Sequence, residues 1–288
     1  MSGKQHQREL RRQREAARAA ARAEQRRKTI QTGVVIAAVL VIGGVLVAYS
    51  LDRPETQVVQ EPSEVPVADV TPSDPAAQPG QAVVGAVPTV VRGDVPVACG
   101  AAQPANAAAP RPTFPGGPAG VLEAGPDYRA VMQTSCGRVV IDLAERESPI
   151  SVNSFVFLAR QKFFDGIEIF RNATTIGALQ TGSGTNQAAW DIGYRIRDEL
   201  SSASLGGYAP GAVAMANAGP NTGGSQFFFV YNDNFQLPAN YAKFGTVVEG
   251  LDVLQRIGAI AVSGQGGETP TERVYIDSVT IEAVPAPG

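Results

Sequence analysis

Histidine is almost absent from this chain of 288 residues, because the only one is His6. Its place in a strongly basic segment excludes a Ser-His-Asp or Cys-His catalytic arrangement and any histidine-based metal site. Cysteine is nearly as scarce, with only Cys99 and Cys136. Two thiols without a nearby histidine do not make a metal site, so we expect neither a metal nor another cofactor.

Phosphate-binding sequences are also missing, although glycine is plentiful. Neither GxxxxGK[ST] nor GxGxxG occurs, and the nearest stretch, GQGGET at 264–269, lacks the last glycine of the second pattern. The acidic pair Asp198 and Glu199 is interpreted as part of a solvated loop. The sequence therefore gives no support to a kinase or another nucleotide-dependent enzyme.

Excess positive charge is confined to residues 1–28, which hold ten Lys or Arg against three Glu. That segment carries +7 whereas the whole chain carries −3, so the remainder sums to −10. The segment contains no aromatic residue that could stack on bases, and we expect no nucleic-acid partner. It is interpreted as a basic cytoplasmic tail, either a solvated helix or a disordered arm.

A run without charge follows at 29–51, and its 23 residues include the aliphatic GVVIAAVLVIGGVLVAY. About 20 such residues suffice for a helix that crosses the hydrocarbon core of a membrane. A cleaved signal peptide is the alternative, but Ala48-Tyr49-Ser50 is a weak cleavage site. We favour an uncleaved transmembrane helix, and the basic residues before it predict a cytoplasmic N-terminus and an extracytoplasmic C-terminal domain.

Proline marks the next stretch, because 14 of the 21 prolines lie in the 75 residues 52–126. This composition buries too little apolar area to offset the entropy of ordering, and it predicts a semi-extended extracytoplasmic linker. Cys99 lies late in this linker and Cys136 lies early in the following domain. Such an even pair indicates a disulfide that staples the linker to the domain, with two free thiols as the alternative.

The folded domain is predicted at 127–284. YRAVMQT and RVVIDL flank Ser135-Cys136-Gly137 as a hairpin. Ser148 and Pro149 supply an N-cap and a first helical residue for a helix over 149–161, and a second helix is predicted at 251–257. Further apolar runs predict strands at 167–170, 211–216, 226–231, 243–248 and 273–282. Many short strands, glycine-rich turns and two helices favour a closed β-barrel with helical lids.

Four segments then point to one family: MANAGPNTGGSQFFF at 215–229, FFDGIEIFR at 163–171, FGTVVEG at 244–250 and SPISVNSFVFLA at 148–159. Together they resemble the cyclophilin family of peptidyl-prolyl isomerases over about 128–281. LPANYAKFG at 237–245 is similar to the bacterial branch. The resemblance implies a mainly β fold, a closed eight-stranded antiparallel barrel capped by two α-helices, that acts on proline-containing polypeptides.

The resemblance also implies a site. Arg171 matches the catalytic arginine, whose guanidinium donates to the prolyl nitrogen of the twisted peptide bond. Phe228 and Leu237 match the walls of the pocket for the proline ring. The residues that the resemblance places in the substrate groove are Gln180, Ala216, Asn217, Gln226, Phe228, Leu237 and Tyr241.

Several positions depart from the family pattern. The usual Phe-Met-x-Gln-Gly-Gly is replaced by GALQTG at 177–182, so two apolar walls are missing unless Ile176 or Leu179 replaces them. Gln236 stands where an aromatic residue often precedes Leu237. Two hypotheses follow: a membrane-anchored isomerase that assists the folding of exported proteins, and a catalytically weak module that binds proline peptides or serves as a scaffold.

Overall fold

The computed structural model describes residues 70–285, except 86 and 265. Within that part of the chain there are three α-helices: α1 (Pro149–Arg160), α2 (Ser201–Gly206) and α3 (Leu251–Gly258). The strands are β1 (Val70–Pro72), β2 (Asp127–Thr134), β3 (Gly137–Leu143), β4 (Ile167–Glu168), β5 (Arg171–Ala173), β6 (Ala178–Thr181), β7 (Tyr194–Ile196), β8 (Ala212–Met215), β9 (Phe227–Val230), β10 (Lys243–Glu249), β11 (Val262–Ser263), β12 (Thr269–Pro270) and β13 (Tyr275–Val284).

Nine of these strands form one antiparallel sheet in the order β4-β13-β2-β3-β10-β8-β9-β6-β5. The end strands β4 and β5 follow each other in the chain with only two residues between them, so the sheet must curl to bring its ends together. The Thr181 hydroxyl of β6 donates to the Glu168 carbonyl of β4 at 2.9 Å. The fold is therefore mainly β with a curled antiparallel sheet, but no described strand pairing joins β4 to β5 and closes the expected eight-stranded barrel.

Most of the predicted elements are present. The hairpin is β2 and β3, whose register runs from Arg129 opposite Asp142 to Thr134 opposite Gly137. Helices α1 and α3 lie where the apolar spacing predicts them, and Val253, Leu254 and Ile257 of α3 are buried. The five predicted strands correspond to β4, β8, β9, β10 and β13. The short strands β1, β5, β6, β7, β11 and β12 and helix α2 were not predicted.

The start of α1 differs from its prediction. The Ser148 hydroxyl does not cap the helix but donates to the Lys243 carbonyl at 2.8 Å. The Glu199 carboxylate takes that place, accepting the backbone N–H groups of Ile150 and Ser151 at 3.0 and 2.8 Å. A negative charge at a helix N-terminus satisfies unpaired donors and complements the helix dipole. The prediction that Asp198 and Glu199 lie in a solvated loop is therefore wrong for the side chain of Glu199, which binds the start of α1.

The core lies between α1 and the sheet, and aromatic rings dominate its centre. The ring of Phe155 on α1 lies 5.1 to 5.4 Å from those of Phe164, Phe227 and Phe244, measured between centroids. Fully buried aromatic pairs at such distances add to the free energy gained by burying their area. Two of the three consecutive phenylalanines, Phe227 and Phe229, belong to this core.

Residues 70–126, the later part of the predicted linker, pack onto the domain, and we call them the wrapping segment. β1 pairs with β7, and both Ala98 and Phe114 are completely buried in the core that contains α1. Cys99 and Cys136 form a disulfide with their Cα atoms 5.2 Å apart. The expectation of a tether is thus corrected for this part of the chain, because the domain provides the apolar partners that the segment itself lacks.

Backbone hydrogen bonds also join the wrapping segment to Arg273, two residues before β13. The Arg273 N–H donates to the Pro96 carbonyl at 2.8 Å, and the Ala98 N–H donates to the Arg273 carbonyl at 2.9 Å. The Arg273 side chain is buried and donates to the Val95 carbonyl at 2.6 Å. The segment is therefore paired like an added strand.

Arg92 makes the main ionic contact between the wrapping segment and the sheet. Its Nη2 and Nε donate to the Glu168 carboxylate at 2.9 and 3.3 Å, and its Nη1 donates to the Pro270 carbonyl at 2.5 Å. The Glu168 side chain is only 1% exposed. Burial raises the pKa of Glu168, and the charge of Arg92 opposes that rise. Arg92, with a smaller contribution from the charge of Arg273, therefore favours the ionised form of this buried carboxylate.

The basic tail at 1–28, the predicted span at 29–51 and residues 52–69 lie outside the described residues. Within the described part of the chain, no helix combines the length and apolar character needed to cross a membrane.

Replacing Arg92 by methionine should destabilise the fold, because it leaves the Glu168 carboxylate buried without its cation. We expect the free energy of unfolding in urea to fall by about 2 to 4 kcal/mol. Arg146→Met is the control, since it breaks an ion pair with Asp127 in which the arginine side chain is 63% exposed. That change should cost less than about 1 kcal/mol. Equal losses in the two variants would show that Glu168 does not depend on Arg92.

Candidate functional site

Arg171 begins β5 and lies directly opposite Gln180 of β6. Its Nη1 donates to the Gln180 Oε1 at 2.9 Å. Its Nε and Nη2 donate to the two carboxylate oxygens of Glu268 at 2.7 and 3.2 Å. The arginine side chain is 27% exposed, so the guanidinium is held in place and still reaches solvent.

The contacts of Arg171 continue across the sheet as a chain of side-chain hydrogen bonds. The Gln180 Nε2 donates to the Gln226 Oε1 at 3.0 Å, and the Gln226 Nε2 donates to the Ala188 carbonyl at 2.9 Å. Gln180 is also the register partner of Phe228 in β9. The predicted arginine, Gln180 and the predicted pocket phenylalanine are therefore on the adjacent strands β5, β6 and β9, and Gln226 directly precedes β9.

Phe228 lies in a second group of aromatic side chains, separate from the main core. Its ring centroid is 5.5 Å from that of Phe235, 5.3 Å from that of Tyr241 and 6.4 Å from that of Tyr208. We call these four residues the aromatic cluster. The ring of Phe235 is nearly parallel to that of Phe228, at 14°. Phe235 lies one residue before Gln236, which is the position where the family pattern often has an aromatic residue. Phe228 is only 6% exposed.

Leu179, in the segment that departs from the family pattern, and the neighbouring Ile176 lie in different parts of the structure. Ile176 packs against the group that contains Phe228. Leu179 is completely buried in the main core and faces away from that group. Gly177 has a φ of +65°, and a Cβ atom there would lie 1.8 Å from the Asn232 Oδ1. A larger residue does not fit at position 177 without displacing Asn232.

Tyr208 joins the aromatic cluster to the segment that carries Tyr241. Its hydroxyl donates to the Tyr241 carbonyl at 2.7 Å and accepts the Tyr241 N–H at 2.9 Å. Burial raises the pKa of Tyr208 to about 12. Burial also raises the pKa of Tyr241, whereas the positive charge of Arg171 acts in the opposite direction. Both phenols are therefore neutral near pH 7, and Tyr241 lies within reach of the electric field of Arg171.

The remaining predicted groove residues lie on two neighbouring loops. The Ala216 N–H donates to the Gln226 carbonyl at 2.9 Å, and the Asn217 Nδ2 donates to the Asn240 carbonyl at 2.8 Å. Leu237 is half-buried on the loop that also carries Asn240. Asn217 thus connects the two loops.

Four residues near these elements were not predicted. Glu268 and Tyr208 come from distant segments, Phe235 lies two residues before Leu237, and nothing in the local sequence marks any of the three. Asp198 exchanges two backbone-to-side-chain hydrogen bonds with Asn221, at 3.0 and 2.8 Å. The acidic pair therefore holds the 217–222 loop as well as the start of α1.

Comparison with known proteins gives consistent results. The family model described as cyclophilin type peptidyl-prolyl cis-trans isomerase/CLD matches residues 129–281. The probable peptidyl-prolyl cis-trans isomerase B of Mycobacterium tuberculosis is 39% identical over 166 residues, which cover 52% of this chain and 53% of that protein. The match thus spans about half the length of the mycobacterial relatives.

Two shorter proteins are matched over nearly their full length. Peptidyl-prolyl cis-trans isomerase-like 3 of Gallus gallus is 33% identical over 157 residues, covering 54% of this chain and 96% of that protein. The crystal structure of a cyclophilin type peptidyl-prolyl cis-trans isomerase from Cryptosporidium parvum aligns with a TM-score of 0.50 and 24% identity, covering 55% of this chain and 99% of that one. The structural likeness concerns the fold alone.

Tyr208→Phe tests the contact between the aromatic cluster and the Tyr241 segment. Loss of the hydroxyl leaves the Tyr241 N–H and carbonyl without their partner, so we expect the stability to fall by about 1 to 3 kcal/mol. Hydrogen exchange at the Tyr241 amide should accelerate at the same time. Tyr128→Phe, which removes a hydroxyl that accepts the Glu123 N–H, is the control and should leave exchange at Tyr241 unchanged. Unaltered exchange in Tyr208→Phe would contradict the assignment.

Proposed function

The chain belongs to the cyclophilin family of peptidyl-prolyl cis-trans isomerases, whose model matches 153 of its 288 residues, and from this we propose that it catalyses rotation about X-Pro peptide bonds. The observation that carries the proposal is the position of the Arg171 guanidinium. It is fixed by Gln180 and Glu268, and Gln180 is the cross-strand partner of Phe228. This chain lacks the catalytic histidine of a Ser-His-Asp or Cys-His enzyme and the glycine motifs of a nucleotide-dependent enzyme.

The chemistry needs no covalent intermediate. Rotation about a peptide bond meets a barrier of ~18 to 20 kcal/mol, because the resonance of the amide is lost at the twisted geometry. The prolyl nitrogen regains a lone pair as resonance is lost. A hydrogen-bond donor aimed at that nitrogen binds more strongly in the transition state than in either ground state, which lowers the barrier.

Arg171 can provide that donor. A guanidinium has five N–H groups and stays charged at any physiological pH. Three of the five are used in the hydrogen bonds to Glu268 and Gln180. One N–H on each terminal nitrogen is left for a substrate, so the residue can remain anchored while it contacts the prolyl nitrogen.

The groove residues would hold the two sides of the substrate differently. In this proposal Phe228, Leu237 and Tyr241 receive the proline ring. Gln180, Gln226 and the backbone of Ala216 and Asn217 hold the neighbouring residues through hydrogen bonds. Fixing one side of the X-Pro bond while the other side rotates turns binding energy into catalysis.

The partners would be exported polypeptides that contain proline. We propose that residues 29–51 anchor the protein in a membrane, with the basic residues 1–28 in the cytoplasm and the catalytic domain outside it. The 23 uncharged residues and the excess of positive charge before them support this topology. The Cys99–Cys136 disulfide supports an oxidising, extracytoplasmic site for the domain.

A second function is favoured by one observation, the covering of Phe228. The ring is 6% exposed beneath Phe235 and Tyr208, and Leu179 does not provide the second wall. A narrow pocket with one wall missing would bind proline less well and exclude water less well. The domain would then be a weakly catalytic binder of proline peptides.

Arg171→Ala should reduce kcat/KM by a factor of ~10² to 10³, the loss typical of removing one transition-state donor. Exchange NMR on a short Ala-Pro peptide measures the rate, with the circular dichroism spectrum as the check that the variant is folded. Arg171→Lys keeps the charge but loses the planar fork, and should recover only a small part of the activity. A folded alanine variant with unchanged activity would remove Arg171 from the mechanism.

The same experiment separates the two candidate functions. Wild-type protein at low molar ratio should broaden the cis and trans resonances of the peptide through exchange. Chemical-shift changes without exchange broadening would instead support the binding module.

The anchor predicts that the full chain, expressed in a bacterium, stays in the membrane fraction after an alkaline carbonate wash. The chain without residues 1–51, exported by an unrelated signal peptide, should be released into the soluble fraction. Recovery of the full chain as a soluble protein with a new N-terminus near Ser50, found by mass spectrometry, would support a cleaved signal peptide instead.

A further inference from the structure

Glu268 lies in the tight turn between β11 and β12. These strands pair antiparallel, with Ser263 opposite Thr269. Gly264, Gly266 and Gly267 have φ values of +80°, +88° and +66°, which only glycine adopts without strain. The glycine-rich stretch at 264–269, which does not match a phosphate-binding motif, is therefore the turn of a hairpin. This turn carries the carboxylate of Glu268.

That turn is attached to the strand that carries Arg171 at two points. The Glu268 carbonyl accepts the Asn172 N–H at 2.8 Å, and the Glu268 carboxylate accepts the Nε and Nη2 of Arg171. Asn172 is completely buried, and its Nδ2 donates to the Gly258 carbonyl at 3.0 Å. The backbone beside Arg171 and the guanidinium itself are thus set by the same residue.

The other side of the hairpin is fixed as well. Arg92 donates to the Pro270 carbonyl, and the Thr271 N–H donates to the Ala261 carbonyl at 2.8 Å. Glu268 is 31% exposed, but its backbone does not belong to a free loop. The carboxylate therefore has a defined position relative to β5.

We infer that Glu268 is a positioning residue for the catalytic arginine. Its carboxylate occupies the Nε and Nη2 edge of the guanidinium, while Gln180 takes one N–H of Nη1. The planar group is then held at three points, and one N–H on each terminal nitrogen remains for the substrate. This inference rests on the proposed isomerase function, because it concerns the donor of that reaction.

The two effects of a carboxylate beside a catalytic cation have opposite signs. The negative charge weakens the pull of the guanidinium on the prolyl nitrogen, whereas the fixed orientation spares the entropy of ordering a long side chain. The side chains of Arg171 and Glu268 are 27% and 31% exposed. Water therefore screens the effect of the negative charge, whereas the fixed orientation of the guanidinium is not screened. Orientation should therefore dominate, and the loss of Glu268 should slow the reaction.

Three variants test this in the full chain, with the Cys99–Cys136 disulfide formed. Glu268→Ala should lower kcat by about tenfold, with KM changed less than about twofold, since the substrate does not touch the carboxylate. The kcat of Glu268→Gln should lie between those of wild type and Glu268→Ala, because the amide oxygen still accepts one N–H. Glu272→Ala, which removes a carboxylate four residues along the same segment, is the matched control and should behave as wild type.

A double-mutant cycle shows whether Glu268 acts through Arg171. The variant with both Arg171→Ala and Glu268→Ala should be no slower than Arg171→Ala alone, because the positioned group is already gone. Losses that multiply would overturn the inference. A Glu268→Ala variant that is faster than wild type would also overturn it, since the carboxylate would then restrain the arginine.

A readout that does not depend on turnover is the Arg171 Nε–H resonance in protein labelled with ¹⁵N-arginine, assigned by its loss in Arg171→Lys. The hydrogen bond to Glu268 should slow its exchange with water, and the resonance should disappear in Glu268→Ala but persist in Glu272→Ala. Persistence in Glu268→Ala would overturn the inference. A wild-type protein that shows the protected resonance but no isomerisation would refute the proposed function and the catalytic role of Glu268, while leaving the orientation of Arg171 established.

Discussion

The arrangement around Arg171 depends on the burial of one carboxylate, that of Glu168. Water does not reach this side chain, so the cost of keeping it ionised must be offset by a cation held close to it. Arg92 is that cation, and it belongs to the wrapping segment and not to the sheet. The same guanidinium binds the Pro270 carbonyl. One ion pair thus fixes both the strand that leads into Arg171 and the hairpin that carries Glu268.

Local periodicity was enough to predict the longer elements, because each of them buries a face that its own sequence encodes. Strands β5 (RNA) and β6 (ALQT) lack the continuous apolar run that marks the equally short β8 (AVAM) and β9 (FFFV), and their pairing comes from the curl of the sheet. The wrapping segment was missed for a different reason. Its apolar residues are mostly Ala and Val, with Phe114 as the one aromatic residue, and composition cannot reveal that Phe114 and Ala98 fit individually into a core supplied by another part of the chain.

The site divides in the same way. Arg171, Gln180, Gln226 and Phe228 could be predicted because they lie in segments that resemble the family, and cross-strand register brings them together. Glu268 could not, since a carboxylate after a glycine-rich turn has no signature until the hairpin is seen beside β5. The sequence also could not show that Phe235 stacks on Phe228, because this contact depends on how an irregular loop folds back over β9.

The pairing of the wrapping segment with Arg273 also determines the order in which the chain can become native. Residues 96–98 find their backbone partner only in a residue about 175 positions later, and β13 must insert between β4 and β2. A chain that emerges from a ribosome or a translocation channel from its N-terminus onward holds β2 with an unpaired edge until that strand arrives. The sheet is therefore completed only when the last strand has been made, and until then the edge of β2 is open to pairing with another chain.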